Sequence, residues 1–142
     1  MNLFSTLPPE IIHHIISYTY CFQKKELLED IQSFSISKKV LIDTYYRRVV
    51  IDNYLHDGEH LIWMVNDLFA FSNGFLPSVY GYIPPFYNMF HRLFSLRTRR
   101  DVDVFLEILE KKNCRSQINL FLGLFTPLER DRFIARVLAR PF

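Results

Sequence analysis

The chain has 142 residues, 17 of them basic and 15 acidic, for a formal net charge of +2. That length suits one globular unit with a real core. A 49% hydrophobic and 23% charged composition excludes a disordered tail, and so small a charge excess gives no argument for nucleic acid or an anionic membrane. The aromatic content stands out: 14 Phe, 8 Tyr and 1 Trp against 4 Gly. These rings must be buried or offered to a partner.

Cys21 and Cys114 set no disulfide framework, so both are expected to be reduced and buried in a reducing, intracellular compartment, cytoplasm or nucleus. No charged start followed by an apolar run marks a signal peptide. The stretch between Asp67 and Arg92 lacks formal charge, but Asn73, Gly74, Pro77, Gly81, Pro84, Pro85 and Asn88 interrupt it. No membrane span is therefore expected.

In chain order, three helices are expected within residues 1–51. Leu7-Pro8-Pro9-Glu10 opens the first, with proline near the first helical position and an acid in the first turn. Ile11, Ile12, Ile15, Ile16 and Tyr18 then cover an arc of roughly 160°, wider than the ~100° stripe of a surface helix. Such an arc can serve a core on one side and something else on the other. Residues 21–26 read as a connection. Leu27, Leu28, Ile31 and Phe34 set the second helix. Ser37 is expected to cap a third, running through Val40, Leu41 and Tyr45 to Arg48. Val49-Val50-Ile51 reads as a strand stub or an apolar leash.

Beyond Asp52, helices are expected over 61–71, ended by Ser72-Asn73-Gly74, and over 86–96 and 102–111. Residues 77–85 read as a loop with aromatic anchors. Residues 118–125 are apolar and helical or buried. Thr126-Pro127-Leu128-Glu129 is a capping box that starts a last helix reaching Ala139. The expected fold is all-α, with a unit at 1–51 packed on a helical module at 52–142 and sharing its core. No repeat period appears.

The N-terminal pattern resembles the F-box. The matching pieces are Leu7-Pro8-Pro9-Glu10-Ile11-Ile12 with Ile15-Ile16, then Leu28-Glu29-Asp30-Ile31-Gln32-Ser33-Phe34-Ser35-Ile36-Ser37-Lys38-Lys39, then Tyr45-Tyr46-Arg47-Arg48-Val49. They look most like the divergent F-boxes of fungi and large DNA viruses. The resemblance covers residues 4–51 and departs where many members carry Trp, here Val40. It implies docking onto the Skp-type adaptor, and through it the cullin, of a Skp–Cullin–F-box ubiquitin ligase. By carry-over the contacts are Leu7, Pro8, Ile11, Ile12 and Ile15, joined by Ile31, Ile36, Lys38, Val40 and Leu41. Ile16 and Phe34 are buried in the family. Each Ile or Leu removed from water contributes about 1.5–3 kcal/mol, and a few central anchors dominate an interface. Residues 52–142 would then recruit a substrate protein; they are too few for a propeller of four-stranded blades. The rival reading is a structural or assembly protein, of viral type, that uses the same helical surface with no ubiquitin link.

No catalytic, cofactor or metal site is expected. His56-Asp57-Gly58-Glu59-His60 has its histidines at i, i+4, but Gly58 weakens a helix there and Glu is not the residue directly after the first histidine, so the stretch reads as a solvated loop. His13-His14 point 100° apart and read as polar-face residues. There is no G-x-S-x-G, Walker-type loop or Rossmann fingerprint. Arg92, Arg97, Arg99 and Arg100 form the most basic stretch, beside Phe90 and Phe94. It reads as a solvated helix end, or as a patch for an acidic partner. Nucleic acid is the weaker expectation for it, and a helical nucleic-acid binder a third functional class.

Overall fold

The computed structural model describes residues 7–19, 23–53 and 56–140, with only the backbone of 16–19. The expectations for Cys21 and for the side chains of Ile16 and Tyr18 lie outside the described residues. The described chain is all-helical, with seven α-helices: α1 (Pro9–Thr19), α2 (Lys25–Tyr45), α3 (Glu59–Ser72), α4 (Pro84–Phe90), α5 (Arg99–Leu109), α6 (Cys114–Leu124) and α7 (Pro127–Ala139). None of them is long and apolar enough to cross a membrane.

The expected second and third helices are one. α2 runs unbroken for 21 residues, and Ser37 sits buried inside it instead of capping a new start. Nothing between Lys25 and Tyr45 is Pro or Gly, and Ser at an interior position lowers helix propensity only slightly. The hydroxyl-bearing residues are accommodated within the helix, as where Thr44 Oγ1 donates to the Val40 carbonyl at 2.7 Å. Nor is 49–51 a strand stub or a leash. Tyr46–Ile51 continues α2 as a π-helical turn, closed by the Asp52 amide donating to the Arg47 carbonyl.

α4 ends at Phe90, short of the expected residue 96. Beyond it the backbone tightens to i→i−3 bonds, from Arg92 to Met89, Leu93 to Phe90 and Leu96 to Leu93. His91 Nδ1 pairs with the Leu96 carbonyl at 2.8 Å, and Arg92 reaches across to the Leu124 carbonyl. The 77–85 loop carries a short 3₁₀ turn (Ser78–Tyr80). It is organised by buried Asn73, whose Nδ2 donates to the Leu76 and Gly81 carbonyls while its Oδ1 accepts from the Ile83 amide. The capping box of Thr126 and Glu129 forms as expected, and a second one, Thr98 with Asp101, starts α5.

One hydrophobic cluster joins Leu41, Tyr45 and Val49 of the N-terminal part to Met64 and Leu68 of α3, Phe86 and Phe90 of α4, Phe121 of α6 and Phe133 of α7. α2 packs chiefly on α7 and α3, and α3 on α6. The aromatic excess is largely spent here: Phe69 meets Phe121 at 4.6 Å, Tyr82 stacks on Phe86 at 4.1 Å, and Phe86 meets Phe90 at 5.0 Å. Polar ties also hold α2 to the rest. Tyr45 donates to Asp67, which also takes Arg140, and burial with that bond to Asp67 pushes the Tyr45 hydroxyl far above its ordinary range. Buried Arg130 of α7 donates to Asp30 and Ser33 of α2 and to the Leu122 carbonyl.

Candidate partner-binding surfaces

The first surface begins at the Leu7-Pro8 turn. The Pro8 carbonyl accepts from the Ile11 and Ile12 amides, so the proline that opens α1 also closes its first turn. Leu7, Pro8, Ile11 and Ile15 are exposed and Ile12 is half-buried. Ile11 and Ile15, one turn apart, form an apolar stripe of the helix, and Leu7 lies in the turn just before it. On α2, Leu27, Leu28 and Ile31 are exposed too, Ile31 at 54%. At 100° per residue, Leu27 and Ile31 lie on the same side of α2 as core residues Leu41 and Tyr45. The apolar stripe of α2 thus extends past the N-terminal limit of the core.

The carried-over contacts on α2 divide. Ile36 (56% exposed) and Val40 lie one turn apart on the side away from the core, and Lys38 is half-buried. Leu41 does not belong with them. It is 1% exposed and fills the core cluster, because the unbroken α2 turns it toward α3, α6 and α7. It leaves the set of residues open to a partner. Phe34 is half-buried and packs against the core, with the Arg130 guanidinium over its ring at 5.8 Å.

The arginine stretch also divides. Arg92 is committed to partners within the chain: its guanidinium forms a two-pronged pair with Glu129, at 2.6 and 2.8 Å, and donates to the Leu124 carbonyl at 2.6 Å. Arg92 and the Thr126 amide together hold the Glu129 carboxyl down at about 2. Arg97, Arg99 and Arg100 remain at the surface. Arg97 lies over the Phe94 ring at 5.2 Å and Arg99 over the Tyr87 ring at 5.0 Å. Asp101 is held chiefly by Thr98 and also by the Arg97 amide, which lower its carboxyl, and Asp103 accepts from the Tyr87 hydroxyl.

His60 corrects the reading of 56–60 as a solvated loop. The stretch enters α3, Gly58 takes a left-handed φ of 97° just before it, and His60 is 4% exposed. Its ring meets Tyr46 edge-on at 5.2 Å, its Nδ1 lies 3.9 Å from Asp57 Oδ1, and that nitrogen makes no hydrogen bond. His13 and His14 are exposed. Among the described residues no three His, Cys, Asp or Glu side chains come close enough to hold a metal. A cleft of about 540 Å³ opens between α3, the loop after it and the start of α6, walled by Val65, Phe69, Asn73 and Leu76. Glu110 and Cys114 also line it, and Cys114 is half-buried there and not buried as expected. No sequence signal marked this cleft, because its walls come from segments that only the tertiary fold brings together.

No family model matches the chain, and neither a curated protein nor a solved structure matches it at a significant level.

Proposed function

We propose that the protein is a non-catalytic F-box-type adaptor, which docks a Skp-type partner through α1 and the outer side of α2 and presents the helical remainder to a substrate protein. The observation that carries this reading is the exposure of the Leu7-Pro8 turn and Ile11 while the rest of the molecule completes its core without them. An apolar stripe that the protein's own core does not use is what a partner helix would cover. Exposed Ile36 and Val40 extend the same character along the outer side of α2, and exposed Ile31 adds to it on the adjoining N-terminal end of the helix. The buried Leu41 and the unbroken α2 depart from the family pattern, so docking rests on the remaining residues.

The test is co-expression of the full chain with a Skp-type adaptor, followed by affinity capture and gel filtration. The two should co-elute, and Leu7→Ala with Pro8→Ala should abolish co-elution while the folded signal of the chain is kept. Unchanged co-purification of the double variant would sink the reading. A dimer of the chain alone that the same double variant dissolves would favour the assembly protein instead.

A further inference from the structure

We propose that the edge formed by the 94–100 turn and the outer face of α5 is a docking site for an acidic peptide segment carrying a large apolar side chain. The proposal goes beyond the adaptor reading and does not depend on it. Arg97, Arg99 and Arg100 fall within four residues and form no ion pair among the described residues. The contrast with Arg92, Arg130 and Arg140, each paired with an acid of the chain, is direct. The two acids nearest in sequence do not neutralise the cluster, since Asp101 is turned into the backbone of its own capping box and Asp103 accepts from Tyr87. Arg97 and Arg99 lie over aromatic rings, which limits their rotamers. A guanidinium held over a ring can still offer its edge N–H groups to a carboxylate.

Beside these cations lies a groove of about 320 Å³, lined by Leu96, Val104, Phe105 and Ile108, with Arg100, Asp101 and Ser95 at its polar end. That is at the lower end of the about 300–1,000 Å³ range of ligand pockets. α5 meets its own core with Val102, Leu106 and Leu109, all buried. Val104 and Ile108, one turn apart and half exposed, are apolar residues the core does not require. Phe94, 86% exposed, adds a ring at the edge of the patch. A trough that is apolar along Val104 and Ile108, with three arginines at one end that pair with no acid among the described residues, complements a segment whose carboxylates lie on the arginine side of an aliphatic or aromatic residue. A nucleic-acid strand fits less well. The basic run stops at Arg100, and α5 continues with Asp101, Asp103 and Glu107, which would repel a continuing phosphate backbone.

The experiment pans a display library of random short peptides against the immobilised full chain, with a pool of random single-stranded oligonucleotides as the second probe. Enriched peptides should be rich in Asp and Glu on one side of an apolar residue. In fluorescence polarisation, Arg97→Glu/Arg99→Glu/Arg100→Glu should weaken the best peptide by about tenfold or more. Val104→Ser/Ile108→Ser, with all three arginines kept, should weaken it by a similar factor. All five positions are exposed, so both variants should melt with the wild type. If the charge reversal fails to fold, the Arg→Gln triple replaces it and should still lower affinity. Enrichment of non-acidic peptides, unchanged affinity in either variant, or an oligonucleotide that binds more tightly than the best peptide would overturn the proposal. No adaptor enters the experiment, so its failure is separable from failure of the adaptor reading.

Discussion

Arg130 brings a full positive charge to a position only 1% exposed, and its surroundings explain how. Its Nε donates to the Leu122 carbonyl at 2.7 Å, and its two terminal nitrogens reach the Asp30 carbonyl, the Ser33 hydroxyl and the Asp30 carboxylate at 3.2, 3.0 and 2.7 Å. A buried charge is tolerable only when its donors are taken up in this way. The residue therefore links α7, the end of α6 and the N-terminal half of α2. Arg130→Met keeps much of the volume and removes every one of those bonds. The Leu122 carbonyl loses its side-chain partner, whereas the Asp30 carboxylate, 43% exposed, can turn to water. The loss should be about 2–3 kcal/mol, less than the roughly 3–5 kcal/mol for a pair buried on both sides. It is read as a lower urea midpoint at unchanged slope. A midpoint within error of the wild type would mean that the network is not a structural tie. Nothing in the sequence around Arg130 marks it as buried, because its acid lies 100 positions earlier.

At the scale of elements, α7 shows how a local signal and a distant contact combine. Thr126 and Glu129 make the reciprocal cap that the sequence pattern calls for, while Arg92, from the turn after α4, grips the same Glu129 carboxylate. The Glu129 pKa is lowered from 4.5 to about 2, chiefly by the Arg92 bonds. A carboxyl depressed on folding contributes stability that is complete above its unfolded value and is lost as pH falls through the folded one. The stability difference between wild type and Glu129→Gln should therefore be constant near neutrality and shrink between about pH 5 and pH 2. Gln can still reach the Thr126 amide, so the variant isolates the ion pair from the cap. A difference that stays level down to pH 2 would contradict the assignment. The Thr126 cap was legible in the residues themselves, as were the apolar period of α3 and its end at Ser72-Asn73-Gly74, whereas the matching box of Thr98 and Asp101 was not expected. The continuity of α2 and the early stop of α4 were not. The first needed the weak local preference of Ser37 to be overruled by burial, and the second lies in i→i−3 backbone bonds beyond Phe90, which the apolar period does not distinguish.

The whole molecule sorts apolar residues into those that fold it and those it leaves to others, and the F-box resemblance alone could not make that division. Leu41 and Ile11 both belong to the carried-over docking set, yet only Leu41 lies in the shared core. Leu41→Ala should open a cavity between α2 and the helices packed on it and reduce stability by about 2–5 kcal/mol. Leu7→Ala with Ile11→Ala removes side chains that are 38% and 46% exposed, and should change stability by no more than about 0.5 kcal/mol per site. Adaptor binding should respond in the opposite order. The Leu7/Ile11 variant should lose capture at full stability. Leu41→Ala, measured at a temperature where it remains folded, should keep it. Thermal melts and adaptor capture on the same preparations separate the two. Equal destabilisation by both variants would mean that α1 packs into the core after all. The exposed stripe would then be no docking face, and the case for the assembly reading would rest on whatever else remains uncovered on α2.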